Sequence, residues 1–217
     1  MPTRRSSGII FKQEQFVTDP GTAYNDVSRN HHTCTPTALD YTELPSGLWV
    51  PTFDGADTKV DTGSDWIGDR EYSIGCWFYV DGDSSVNNVR ILENGQFIIN
   101  IISSGRLNVS SDRGGTSIQS DYNESWRARM WYNLFITRSI SGTGAIYSDG
   151  VLVESGATGT PAIGTTNIFI GNITGGDRPF PGYIDDLTVY SYIPAAPTTF
   201  AVARYNESAL LYGKALI

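Results

Sequence analysis

The stretch GYIDDLTVY, residues 182–190, decides how the chain is read. Its Tyr, Ile, Thr and Val favour a strand, yet Asp185 and Asp186 stand side by side within it, and strands are poor in Asp. Successive side chains of a strand point to opposite faces. Alternation puts Asp185 with Leu187 and Val189 on one face, and Asp186 with Ile184, Thr188 and Tyr190 on the other. The first set is the more apolar, so Asp185 is expected at the rim of a core and Asp186 on a solvated outer face. A carboxylate at a core rim needs a partner. Backbone N–H groups, an arginine such as Arg178, or a bound cation would each serve.

Around this strand the chain is strand-rich throughout. GIIFKQEQF, GLWVPTFDG, EYSIGCWFYV, MWYNLFITRSI and TTNIFIGNI each read as strands. In EYSIGCWFYV, Ile74, Cys76, Phe78 and Val80 share one face. NNVRILENGQFIINIISSGRLNVSS reads as three strands, with turns at 93–95 and 103–105. GAIYSDGVLVESG is a hairpin, Asp149 and Gly150 supplying the positive φ of a two-residue turn. Helical spacing occurs only in the tail, around Phe200 to Leu211. The 23 Gly, 12 Tyr, 9 Phe and 5 Trp fit an all-β composition. The expected fold is a two-sheet antiparallel β-sandwich of the jelly-roll kind with a short C-terminal helix. It is expected to form one domain, 8–217, behind a polar arm, 1–7 (MPTRRSS), that an assembly contact would hold.

Charge and composition narrow the partners. The net charge of −8 argues against nucleic acid, whose phosphates call for a basic surface. No apolar run reaches the ~18 residues of a spanning helix, so no membrane insertion is expected. MPTRRSSGIIFKQEQF lacks the apolar segment of a secretory signal, which suggests export by a non-classical route or carriage within a virion. Cys34 and Cys76 read as two independent thiols.

The chemistry candidates are few. Two catalytic carboxylates would be needed for glycoside hydrolysis. Glu71 and Glu93 are instead isolated acids beside turns, and no Gly-x-Ser-x-Gly elbow is present, so no enzyme is expected. Trp66 in GSDWIGDR and Trp126 in NESWRARMW lie in loop-like stretches, where an indole can stack on a sugar ring.

The motifs come in a telling order: AYNDVSRNHHT, WVPTFDGADTKVDTG, YSIGCWFYV, MWYNLFITRS, AIYSDGVLVESG, NIFIGN, PGYIDDLTVYSYIP and FAVARYNES. The series resembles a laminin-G-like jelly roll of the concanavalin A-like lectin/glucanase group, across roughly residues 8 to 208. DVSRN departs from the commoner Asp-x-Ser-Gly-Asn by carrying Arg29 in place of Gly. The resemblance implies two stacked antiparallel sheets, with Trp77 and Trp131 at core positions. It also implies a structural Ca²⁺ with Asp185 as side-chain ligand and Gly55 as carbonyl ligand. Asp26 and Asn30 would complete the six to eight oxygens that Ca²⁺ takes. The Glu-x-Asp-x-x-Glu strand of the group's glucanases is missing. The expected function is therefore structural or binding: a virion surface component (capsid decoration, tail or fibre protein). Its expected partners are other virion proteins, further copies of itself and a host-surface glycan. The alternative is a cellular carbohydrate-binding or adhesion module.

Overall fold

The computed structural model describes residues 8–82, 88–102, 105–113, 115–121 and 126–217. The arm 1–7 and the turn residues 103 and 104 lie outside the described residues. The strands are β1 (Ile9–Lys12), β2 (Thr35–Thr37), β3 (Asp40–Glu43), β4 (Trp49–Asp54), β5 (Lys59–Asp61), β6 (Tyr72–Val80), β7 (Val89–Glu93) and β8 (Ile98–Ile101). They continue as β9 (Leu107–Ser110), β10 (Ser117–Ser120), β11 (Trp131–Arg138), β12 (Thr143–Ser148), β13 (Val151–Ala157), β14 (Phe169–Ile170) and β15 (Pro181–Tyr190). A helix, α1 (Pro197–Ser208), and a 3₁₀ turn, Ala209–Tyr212, close the chain.

Among the described residues the strands make two antiparallel sheets. The first runs β13-β12-β11-β6-β15-β4-β3 with β1 also paired to β15; the second runs β10-β9-β8-β7-β14-β5-β2. The two sheets face each other across one apolar core. Ile74, Cys76, Phe78 and Val80 of β6 point into it as alternation expects, and meet Ile91, Ile99 and Val109 from the other sheet. The β12–β13 hairpin turns on Asp149 (φ 47°) and Gly150 (φ 78°), the two positive φ values a tight primed turn requires.

The outer faces of the two sheets differ. Over the first sheet, α1 and the 3₁₀ turn bury a second apolar layer of Trp77, Tyr205 and Tyr212, and a third of Phe135, Ala201 and Tyr190. Pro197 opens α1, where a missing N–H and a fixed φ do no harm. Among the described residues, no helix lies over the outer face of the second sheet.

β15 is the strand on which this arrangement turns. β6 pairs along one of its edges; β4 and β1 share the other, β4 at Pro181–Tyr183 and β1 at Thr188–Tyr190. Between those stretches the strand bulges. Asp185 pairs with Trp77 and Thr188 with Gly75, so Asp186 and Leu187 together stand against Cys76. Asp186 takes a left-handed φ of 52°, which Asp tolerates better than most residues. The extra residue shifts the alternation by one. Ile184, Leu187 and Val189 face the core, while Asp185 and Thr188 face the helix side. The expected grouping of Asp185 with Leu187 and Val189 is thereby corrected. The expectation of a solvated Asp186 is overturned too, since it is only 4 % exposed.

Gly171, in the IGN motif, shows how tightly the core is closed. Its φ is 78°, and a Cβ there would lie 2.0 Å from the Phe53 ring. Left-handed strain and forced overpacking together amount to about 2–4 kcal/mol. Gly171→Ala is therefore expected to lower Tm by roughly 5–15 °C for a domain of this size, as read by calorimetry.

Candidate functional site

The open face of the second sheet carries the site. Arg90 (β7), Ile98 and Asn100 (β8), Asn108 and Ser110 (β9) and Ser117 (β10) point outward from adjacent strands. With Asn88 and Arg113 at its margin they line a groove of about 270 Å³. Outward polar side chains on a sheet are ordinarily solvated. Here Arg90, Asn100, Asn108 and Ser110 are 3–8 % exposed, so they form a sunken polar floor.

The floor is wired together. Asn108 Nδ2 donates to Asn100 Oδ1 (2.8 Å), and Asn100 Nδ2 to Asn88 Oδ1 (3.2 Å). Arg90 Nη1 donates to the same Asn88 oxygen (2.5 Å) and to the Asn88 carbonyl (3.0 Å). Arg90 Nε donates to Glu93 Oε2 at 2.5 Å. Burial pulls the Arg90 pKa down, and Glu93 opposes that. Each amide's orientation is thus set by its neighbour, with Asn108 Oδ1 as the last acceptor of the series among the described residues. Fixed donors and acceptors lose little entropy when a ligand replaces their water.

The sequence-derived residues fall elsewhere. Trp126 is completely buried in the main core, its indole N–H donating to the Gly105 carbonyl at 2.7 Å. An enclosed ring cannot stack on a sugar, which corrects that expectation; loop-like sequence concealed a core residue. Trp131, expected in the core, is half-buried on the outer face of the first sheet and stacks against Tyr183 (5.7 Å, 24°). Trp77 is fully buried, but beneath α1 and not between the sheets. Trp66 is partly exposed and lines a cleft at the sandwich edge, with Asn30 also in its wall.

The four residues assigned to calcium stand in three places, with Asp26 and Asn30 together on one loop. Asp185 is enclosed: Gln13 Nε2 donates to Oδ1 (2.5 Å) and the Tyr212 hydroxyl to Oδ2 (2.6 Å). Burial raises its pKa to about 7. Asp26 accepts from the backbone N–H groups of Lys12, Ser28 and His32, from the Ser28 hydroxyl and from His32 Nδ1. Those backbone bonds outweigh its desolvation and hold its pKa down. Asn30, on the same loop as Asp26, donates through Nδ2 to the Ile10 carbonyl of β1. Gly55 donates to Phe180 O beside Pro181, four residues along β15 from Asp185 and so about 13 Å away at ~3.3 Å per residue. Five donors already take the Asp26 oxygens, an amide and a phenol face the two Asp185 oxygens, and these four residues do not close one shell. The donor set does not fit calcium. Among the described residues no three acids, histidines or cysteines cluster as metal ligands.

Asp186 takes the partner the sequence reading sought for its neighbour. Arg204 of α1 donates to Asp186 Oδ2 at 2.8 Å, with both side chains below 10 % exposed. Arg178 lies elsewhere, its backbone N–H donating to Asn172 Oδ1. Cys34 and Cys76 are unpaired, and burial pushes both thiols up to about 12.

A family model described as Concanavalin A-like lectin/glucanases superfamily matches residues 54–196. The chain belongs to this superfamily. The laminin-G-like order of motifs and the all-β sandwich agree with that membership. No curated protein sequence matches the chain. Among solved structures, this lectin-like chain is similar to the binding domain of Paraclostridial Mosquitocidal Protein 1 (11% identity, TM-score 0.69), covering 92% of this chain and 52% of that one. It is also similar to the binding domain of Botulinum Neurotoxin DC in complex with SialylT (13% identity, TM-score 0.67; 92% and 51%). A third is domain 4 of AbnA, an extracellular arabinanase from Geobacillus stearothermophilus, in complex with arabinotriose (16% identity, TM-score 0.61; 81% and 91%). The lectin-like chain thus spans about half of the toxin domains it matches and nearly all of the arabinanase domain. At these identities the likeness establishes the fold.

Two outcomes follow from the buried acids. Asp185 has a folded pKa near 7 against about 3.9 unfolded, so the folded state holds an extra proton between those values. Stability is therefore full below about pH 4 and declines as pH rises towards 7. Between about pH 5 and pH 8 the fall is of order 2–3 kcal/mol, several degrees in Tm. Asp185→Asn is expected to flatten most of that decline in thermal melts; an unchanged slope assigns it to other groups. Excess EDTA is expected to leave the Tm unmoved, and a chelator-dependent drop would restore a metal to the fold.

Proposed function

We propose that this chain is a non-catalytic binding module that recognises a glycan in the sunken polar groove of its second sheet. The observation that carries this reading is the Asn108–Asn100–Asn88–Arg90 series: fixed amides and a guanidinium, buried yet facing outward. Sugar hydroxyls need donors and acceptors side by side, and a ligand site combines such groups with an apolar floor, here Ile98. Glu93 is the carboxylate beside the groove, and it is committed to Arg90 at 2.5 Å. Glycoside hydrolysis asks for two carboxyl groups roughly 5–9.5 Å apart, one of them free to give up a proton. Binding without turnover is the chemistry this arrangement supports.

The arabinotriose bound by the AbnA domain makes a short neutral oligosaccharide the natural first probe. On this reading the chain is an attachment domain. A virion surface, with other virion proteins and further copies of the chain as neighbours, is the proposed setting; an extracellular or cell-surface module is the alternative. Co-sedimentation with purified particles separates the two.

Calorimetric titration with arabinotriose, backed by a glycan array, tests the groove. A micromolar-to-millimolar Kd is expected. Asn100→Ala or Asn108→Ala should weaken it about ten-fold or more, the worth of one or two lost hydrogen bonds, and lower Tm by several degrees as buried partners lose their bonds, with binding read well below the melting range. Binding that is indifferent to both substitutions removes the groove from the function.

A further inference from the structure

A second concave site lies at the sandwich edge, away from the polar groove. It is a cleft of about 560 Å³ walled by Trp66, His32, Asn30, Asp69, Arg70 and Ile163. That volume is within the roughly 300–1,000 Å³ of small-ligand pockets.

Its floor is aromatic and braced from behind. Trp66 stacks on the fully buried Phe11 with ring centroids 4.9 Å apart and planes 17° from parallel. Its indole N–H donates to Thr62 Oγ1 at 3.0 Å, which fixes the ring's rotation. His32 sits 6.1 Å from each of the two rings. One face of Trp66 is thus covered by Phe11, while the residue as a whole stays partly exposed in the cleft wall.

His32 is held as firmly. Its Nδ1 lies 2.6 Å from Asp26 Oδ2, and the Asp26 side chain has no exposed surface. A carboxylate only accepts, so Nδ1 carries a proton and Nε2 lies on the ring edge turned away from Asp26. Asp26 also ties down the 26–32 loop through three backbone N–H groups. A buried carboxylate with five donors serves to position an imidazole and a loop beside the cleft, whereas the loop's fold alone would need only the backbone bonds.

The rim sets the ligand class. Asp69 and Arg70 are both exposed, offering an acceptor and a donor set side by side. Asp65 is engaged through Gly68 N, Asn94 Nδ2 and Gly164 N, and acts as a brace. With Asp65 and Asp69 both at the cleft, an anionic ligand is repelled. A neutral ring with one apolar face and hydroxyls around its edge matches an indole flanked by imidazole, amide, carboxylate and guanidinium. We propose that this cleft is a second, independent binding site for a neutral monosaccharide unit, stacked on Trp66 and hydrogen-bonded by His32, Asn30, Asp69 and Arg70. The choice of a sugar rests on the glycan reading above; the existence of the site rests on its own geometry. Two sites on one rigid domain would let a branched or long glycan bind with raised effective concentration.

The test is an NMR titration of the whole chain, ¹⁵N-labelled, with D-glucose, D-galactose, D-mannose and L-arabinose in turn at millimolar concentration. The Trp66 indole N–H signal is assigned by its disappearance in Trp66→Phe. At least one sugar should move that signal, and should move it equally in the groove variant Asn108→Ala. Asp69→Ala and Arg70→Ala change exposed side chains and should fold normally; at least one should weaken the response about ten-fold, the worth of one charged hydrogen bond. No movement with any of the four sugars overturns the site, as does a response indifferent to both rim variants or abolished by Asn108→Ala. Should arabinotriose binding ignore the groove variants while the Trp66 signal still responds, the groove reading fails and the cleft stands.

Discussion

Two side chains, Gln13 and Asp185, tie the N-terminal strand β1, the central strand β15 and the C-terminal 3₁₀ turn together. Gln13 Nε2 donates to Asp185, and Gln13 Oε1 accepts from the Tyr24 hydroxyl (3.1 Å) and from the Leu187 backbone N–H (3.3 Å). That N–H belongs to the bulge, where the ladder to β6 is interrupted. An unpaired backbone N–H at a buried position is costly, so the bulge depends on a partner from outside the sheet. The same Asp185 receives the Tyr212 hydroxyl from the C-terminal 3₁₀ turn. The N-terminal strand, the bulge and the tail are joined through a few polar atoms in an otherwise apolar layer. A half-satisfied network here would be worse than none.

The bulge has a consequence for the rest of the molecule. By turning both acids to the helix side it gives α1 a polar anchor, Arg204 on Asp186, set beside Tyr190 and Phe200. The buried pair adds little net stability, since desolvation consumes most of the attraction, and Arg204 Nη1 also meets Glu207 of its own helix at 3.0 Å. What the buried pair adds is register. Rotating or sliding α1 would carry Arg204 away with its helix neighbour Glu207 and leave Asp186 buried and unpaired, a penalty of several kcal/mol. Once α1 is fixed over the first sheet, that sheet's outer face is largely occupied. Among the described residues the second sheet's outer face is then the open one, and the polar floor sits there. The position of the polar groove thus follows, at one remove, from two adjacent aspartates on the far side of the sandwich.

Much of this was legible in the residues. Period-two patterns located β6, β11 and β15, the Asp149–Gly150 pair specified its hairpin, and the tail's spacing found α1 to within a few residues. The order of motifs named the superfamily. The faces of β15 were not legible, because a bulge inserts one residue without any local signature beyond the Asp pair itself. Trp126 was hidden for a related reason: a loop sequence says that backbone regularity ends, and nothing about whether the loop folds back over the core. The groove left a faint trace. Arg90, Asn100, Asn108 and Ser110 each alternate with core residues, which marks them as outward. Alternation cannot distinguish an outward residue in open water from one sunk in a curved sheet, since that depends on the neighbouring strands and on what the other sheet's face carries.

The residues that the resemblance implies for calcium are held by other partners, for a physical reason that the same residues supply. Asp185 and Asp26 are the kind of buried acid that a cation often satisfies, and the resemblance pointed there. In this chain Gln13, Tyr212, His32 and a set of backbone N–H groups already occupy the carboxylate oxygens. Hydrogen-bond donors and a divalent ion are alternative solutions to one problem, the desolvation of a carboxylate, and they compete for the same lone pairs. Where donors win, the acid's charge becomes adjustable: Asp185, with two donors and full burial, titrates near neutrality, while Asp26, with five, stays ionised. The ionised one stands behind His32 and orients it; the protonatable one sits in the tie between the chain ends. Burial with few donors around Asp185, against five donors around Asp26, thus separates a charge that couples the fold to pH from one used for positioning.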